Sequence, residues 1–179
     1  GALTEDASTS TVSNTVGASD PDTGDVLSYG ASSSTGTYGT FAVTSQGVWT
    51  YTLDNNDADT TALDANDQVT DAFTITVSDD ATPSLSDTMT VTITITGAND
   101  APSAGSDQTG SVTEDASTTT ATGTVSGTDA DDSASLTYTP NTNSGTYGSI
   151  AFSGASWTYT LDNSDADTTA LDANDQVTD

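Results

Sequence analysis

Threonine alternates with large apolar side chains along three stretches of this chain. Trp49, Tyr51 and Leu53 are separated by Thr50 and Thr52, and Phe73, Ile75 and Val77 by Thr74 and Thr76. Met89, Val91, Ile93 and Ile95 are separated by Thr90, Thr92 and Thr94. A period of two sends successive side chains to opposite faces of an extended backbone. Each stretch therefore predicts a strand that buries its apolar face and wets its threonines, as in an antiparallel sheet. Weaker strands are predicted over 11–16, 26–29 and 40–43, with Gly36 and Gly39 bracketing a turn. No apolar stripe of helical period is present, and only 60–63 has room for a helical turn. The expected core is Trp49, Tyr51, Leu53, Phe73, Ile75, Val77, Val91, Ile93 and Ile95. The aromatic rings share a face with the aliphatics, which favours packing over a platform for sugars.

The pattern occurs twice. Leu3-Thr4-Glu5-Asp6-Ala7-Ser8-Thr9 returns as Val112-Thr113-Glu114-Asp115-Ala116-Ser117-Thr118, and Gly36-Thr37-Tyr38-Gly39 as Gly145-Thr146-Tyr147-Gly148. The stretch 49–71 returns as 157–179 with one change, Asn56 against Ser164. Such self-similarity marks a duplicated structural unit. About seven short strands per copy, with turns between, predict tandem antiparallel β-sandwich modules of the immunoglobulin-like or cadherin-like kind. The expected division is a first repeat over 1–98, a linker over 99–103 and a second repeat over 104–179. In the linker, Pro102 fixes its own φ and holds its neighbour extended, which predicts a stiff connector. The second copy is truncated: counterparts of 73–77 and 89–95, its last two strands, are absent from residues 1–179. The first copy also opens partway through a module. We therefore expect a fragment of a longer chain, or else a neighbouring molecule that supplies the strands by β-augmentation.

Charge changes the picture most. The 179 residues hold 27 Asp plus Glu and no Lys, Arg, His or Cys, a formal charge of −27. No side-chain salt bridge can form, and self-repulsion opposes compaction. With no cation to meet phosphates, nucleic acid and anionic membranes are poor partners. Triads, thiol chemistry, Schiff bases and zinc fingers lack their residues. Only two-carboxylate glycoside hydrolysis is left to an enzyme, and no glutamate pair supports it, so a non-enzyme is expected. No apolar run reaches the ~20 residues of a membrane span.

All acids but Glu5 and Glu114 are Asp, the acid of turns and calcium loops. Asp20, Asp22 and Asp25 surround Pro21 and Gly24, and the second copy answers with Asp129, Asp131 and Asp132 but no glycine. Asp20 is no EF-hand start, because the twelfth position is Ala31. The pairs Glu5-Asp6 and Glu114-Asp115 open each module, Asp79-Asp80 follows a core strand, and Asn99-Asp100 lies in the linker. These fourteen residues are the expected ligands of Ca²⁺; Mg²⁺ keeps its waters and suits an all-protein cage less well. A further group, Asp54, Asp57, Asp59, Asp64, Asp67 and Asp71, reads equally as a solvated loop, with Asp54 and Asp71 capping turns.

Taken together, TEDAST, GTYG, WTYTLDN, ALDANDQVTDAFTITVSDD and GANDAP resemble the VCBS repeat of giant RTX-type bacterial adhesins. The resemblance implies secretion, display at the cell surface, and calcium-stiffened rods that serve adhesion or biofilm. The looser cadherin likeness implies a calcium site drawn from Glu5, Asn99, Asp100, Asp129 and Asp131, joined by Asp79. The expected partners are neighbouring repeats of the same chain. Alternatives are a self-assembling extracellular filament or sheath with strand exchange between identical chains, and glycan binding through Tyr38, Tyr147 or the tryptophans.

Overall fold

The computed structural model describes residues 1–179, which form two compact units. The first comprises Gly1–Ala101 together with Ala130–Ala134; the second comprises Pro102–Asp129 with Ser135–Asp179.

The first unit is a β-sandwich of seven strands: β1 (Ala2–Thr4), β2 (Thr11–Thr15), β3 (Ser28–Ala31), β4 (Gly39–Val43), β5 (Val48–Leu53), β6 (Gln68–Ser78) and β7 (Ser86–Thr96). One sheet has the order β1-β7-β6-β3 and the other β2-β5-β4. A single turn of helix, α1 (Ala58–Thr61), sits between β5 and β6; Asp57 starts it by accepting from the Asp59 N–H. Pairing is antiparallel except at β1, which runs parallel to β7 with Leu3 opposite Ile95. Alternation within 2–4 is too short to announce that strand.

The nine expected core side chains are all buried, joined by Leu3, Phe41 and Leu63. Phe41 and Phe73 stack with centroids 4.4 Å apart and planes at 8°, and Tyr51 tilts against Phe73 at 5.8 Å. The two sheets are thus joined chiefly through aromatic rings, which carry large buried areas. Phe73→Ala should cost the first unit about 3–5 kcal/mol, through lost transfer energy and the cavity left behind. Urea unfolding measures it; a loss below about 1 kcal/mol would show that the sheets close over the gap.

The second unit has β8 (Ser103–Ala104) paired with β10 (Gly127–Thr128), and a three-stranded sheet β11-β12-β9. Those strands span Gly148–Ser153 (β11), Ser156–Leu161 (β12) and Thr120–Thr124 (β9). A second helical turn, α2 (Ala166–Thr169), repeats α1. Here Trp157 and Leu161 are the buried apolar side chains.

Candidate metal centre

Two groups of carboxylates gather at opposite ends of the long β6–β7 hairpin. At the turn end, the loop 20–25 folds back on itself: Asp20 Oδ1 accepts from the Asp22 N–H at 2.8 Å, and Gly24 takes φ +105°. Such a φ favours glycine. Asp80 Oδ1 reaches across to the Val26 N–H at 2.8 Å, which pins this loop to the β6–β7 connection. Asp79 organises that connection, accepting from the N–H groups of Ala81 (3.2 Å) and Leu85 (3.0 and 3.2 Å). Carboxylate oxygens of Asp20, Asp25 and Asp79 consequently lie within 4.8 Å of one another, all half-buried. The Asp25 carboxyl is pushed above its ordinary range by desolvation, then by the charges of Asp20, Asp22, Asp80 and Asp79. Three anions this close, with no basic side chain in the molecule, suit a hard divalent ion that takes 6–8 oxygens.

At the other end Glu5 is buried, only 2 % exposed. The tight turn after β1 puts it there: its N–H donates to Thr96 O at 2.9 Å, and Asp6 takes φ +53°. Oε2 accepts from the Ala98 N–H at 3.1 Å, while Oε1 is buried with no hydrogen-bond partner. Desolvation raises the Glu5 pKa; the Ala98 bond opposes the rise, and Asp100, Asp6 and Asp131 add to it. Segment 130–134 completes this end of the first unit. Asp131 Oδ2 accepts from the Asp100 N–H at 3.0 Å, the Asp132 N–H donates to Ala62 O at 3.1 Å, and the Ser133 hydroxyl and N–H both bond Asp64. Gly97 is required here, since a Cβ would stand 2.4 Å from Asp64 O.

The structure thus divides the expected ligands. Asp20, Asp25 and Asp79 come together with Asp22 and Asp80 at their edge, and Glu5 faces Asp6, Asp100 and Asp131. Asp79 does not join Glu5: it follows β6, whose first residue Gln68 pairs with Thr96 beside Glu5. Eleven residues of strand put about 35 Å between those ends. Asn99 is exposed and donates its amide to Asp100 O. In the second unit Asp129 follows β10, half-buried. Glu114 repeats the geometry of Glu5 in part, with Oε2 buried and unpartnered, and Asp115 repeats the positive φ at +56°. Asp132 reaches Ala62 through its backbone rather than its carboxylate.

Two acids of the group that reads equally as a solvated loop have structural partners. Asp64 is half-buried and holds Ser133. Asp71, read as a turn cap, is buried on β6, where its carboxylate accepts from Thr37 N–H (2.9 Å), Tyr38 N–H (3.1 Å) and Tyr51 O–H (2.7 Å). The usable signal was its phase, because Asp71 lies on the inward face with Phe73 and Ile75. Trp49 and Trp157 are inside, at 5 % and 6 % exposure, so neither offers a face to a sugar.

The first unit is thus a β-sandwich module with acidic loops at both ends of its long hairpin. A family model, the bacterial cadherin-like domain, matches residues 1–97, and the chain belongs to that family. Cadherin-like domains are extracellular modules that occur in tandem and typically bind Ca²⁺ at the linkers between them. Among solved structures, the chain is similar to the human CDH23 EC21-23 fragment (19 % identity, TM-score 0.49), covering 93 % of this chain and 51 % of that one. It is also similar to the protocadherin GammaB4 extracellular domain (19 % identity, TM-score 0.46), covering 92 % of this chain and 28 % of that one. The chain thus spans about half the length of one of these structures and less of the other. No curated protein matches. No helix is long and apolar enough to cross a membrane.

Proposed function

We propose that this chain is a calcium-stiffened spacer from a large secreted bacterial surface adhesin, built of VCBS-type repeats with a first repeat over 1–98, a linker over 99–103 and a second repeat over 104–179. The observation that supports it best is Glu5 Oε1, a buried carboxylate oxygen with no hydrogen-bond donor, surrounded by the charges of Asp6, Asp100 and Asp131. An uncompensated buried carboxylate is expensive, and this molecule has no basic side chain to offset it. A divalent ion does so, and at that position it ties the end of β1 to Asp100 and to segment 130–134. Asp20, Asp25 and Asp79 would hold a second ion at the turn end of the hairpin. Extracellular modules of this type bind calcium with Kd roughly 10⁻⁴–10⁻³ M, matched to the medium outside cells. Adhesion, a place in a biofilm matrix and neighbouring repeats as partners follow from that reading.

Glu5→Gln tests it with opposite signs in two conditions. Without a divalent ion, the raised pKa means that folding favours the protonated carboxyl, so stability at this position is lost as pH rises past the ordinary carboxylate range. The neutral amide should therefore leave the chelated protein as stable as before or more so at pH 7. In calcium the same change removes a ligand and should weaken one site about tenfold or more, read by isothermal titration. A titration identical to the parent's would remove Glu5 from the ligand set and this reading with it.

A further inference from the structure

Asn55 carries another orphaned oxygen of the first unit: its Oδ1 is buried and has no hydrogen-bond partner, like Glu5 Oε1. The turn after β5 sends this side chain inward. The Leu53 N–H donates to Ser10 O at 2.8 Å, and Asp54 Oδ1 accepts from the Asn56 N–H at 3.0 Å. Asp54 and Asn56 are consequently exposed, while Asn55 between them is half-buried. The second unit shows what lies beside this position. There the Leu161 N–H donates to Thr119 O at 2.8 Å, and Asp162 Oδ1 accepts from the Ser164 N–H at 2.9 Å. In that same turn Asn163 Oδ1 accepts from the Asp115 N–H at 3.4 Å. Asp6 and Asp115 share a positive φ, +53° and +56°, in turns of identical sequence, TEDAST. Asn55 therefore stands against the Glu5-Asp6 turn, but its oxygen takes no N–H there.

We propose that Asn55 Oδ1 is an uncharged ligand of the calcium ion held at Glu5. This assignment rests on the calcium reading above and adds to it a residue that carries no charge. Two buried acceptors at one turn, neither with a donor, are costly, and a cation between them relieves both. Calcium takes 6–8 oxygens and accepts amide carbonyls among them. Asp20, Asp25 and Asp79 are the one set of three acids whose oxygens lie within 4.8 Å of one another. The acids around Glu5 are spread more widely, so uncharged oxygens must fill more of the shell there. A turned amide would set the Asn55 NH2 against the Asp6 N–H, donor to donor, which leaves Oδ1 as the atom that faces the turn.

Calcium chloride is titrated by calorimetry into the chain 1–179 and into Asn55→Ala, Asn55→Asp and Glu5→Gln. Asn55→Ala should weaken the site that Glu5→Gln weakens, by about tenfold, and leave the other binding events unchanged. Asn55→Asp returns an oxygen to the same place and should restore binding to the parent's strength or better. In the labelled parent the Asn55 side-chain carbonyl carbon should shift as this site fills. If Glu5→Gln weakens binding while Asn55→Ala titrates like the parent, Asn55 is no ligand and the calcium reading stands. If Glu5→Gln titrates like the parent as well, that reading falls and takes this assignment with it. A carbonyl carbon that stays put at saturating calcium would overturn the assignment without any variant, so a failure of Asn55→Ala to fold does not shelter it.

Discussion

Asp71→Ala is expected to bring the first unit close to unfolding. The change strips a buried carboxylate from three donors, the buried Tyr51 hydroxyl and the partly buried N–H groups of Thr37 and Tyr38. An orphaned buried donor costs about 1–3 kcal/mol and a partly hydrated one less, so the expected loss is about 3–6 kcal/mol, below the ~9 of three fully buried donors, against a total of about 5–15. Gly36 packs directly on the carboxylate, since a Cβ there would stand 2.1 Å from Asp71 Oδ2. The carboxylate is a staple that fastens the 36–39 turn and β5 to β6. Hydrogen exchange of β5 and β6 amides against urea reads the effect, and a loss under about 1 kcal/mol would show the donors hydrated in the variant.

The second unit supplies an internal control. Asp179 accepts from Thr146 N–H (2.7 Å), Tyr147 N–H (3.1 Å) and the Tyr159 hydroxyl (2.6 Å), the same set, but it is exposed. Burial pushes its pKa up, yet the tyrosine and backbone donors outweigh this and leave it below the ordinary range. Its contribution is therefore present above pH about 4 and lost as pH falls through the lowered value. Asp179→Ala should cost much less than Asp71→Ala, since water replaces the lost acceptor. Both tyrosine hydroxyls are held protonated by burial and by the carboxylate beside them, so they remain donors across the neutral range.

Calcium should raise the melting temperature of the first unit well beyond what sodium chloride achieves. At ten times Kd one site adds about 1.4 kcal/mol by linkage, and two add about 2.8 kcal/mol. For a unit of this size each kilocalorie shifts the midpoint by about 4–8 °C, so the rise is about 10–20 °C with both sites filled. Monovalent salt screens only beyond about 8 Å at physiological strength, which leaves oxygens packed within 4.8 Å at Asp20, Asp25 and Asp79 unrelieved. Magnesium should do less, because it surrenders its waters reluctantly. Calorimetry in chelator, in calcium, and in sodium chloride of equal ionic strength separates these effects. Equal midpoints in calcium and sodium chloride would end the stiffening mechanism.

Read by itself, the amino-acid order determined what depends on neighbours along the chain. Threonine alternation marked β5, β6 and β7 and nine buried side chains, and the duplication was visible as repeated words. Folding decided what depends on which distant ends meet. Asp25 and Asp79 converge because β6 ends where the 20–25 loop crosses it, while Glu5 is drawn to Asp100 by a parallel pairing of β1 that three residues could not advertise. Asp71 and Asp179 share a sequence and differ in burial: Asp71 lies on β6, paired with β7, and Asp179 lies in no strand. Side-chain phase is a local property with a period of two, whereas the meeting of carboxylates is set by strand length and pairing, which no short stretch encodes.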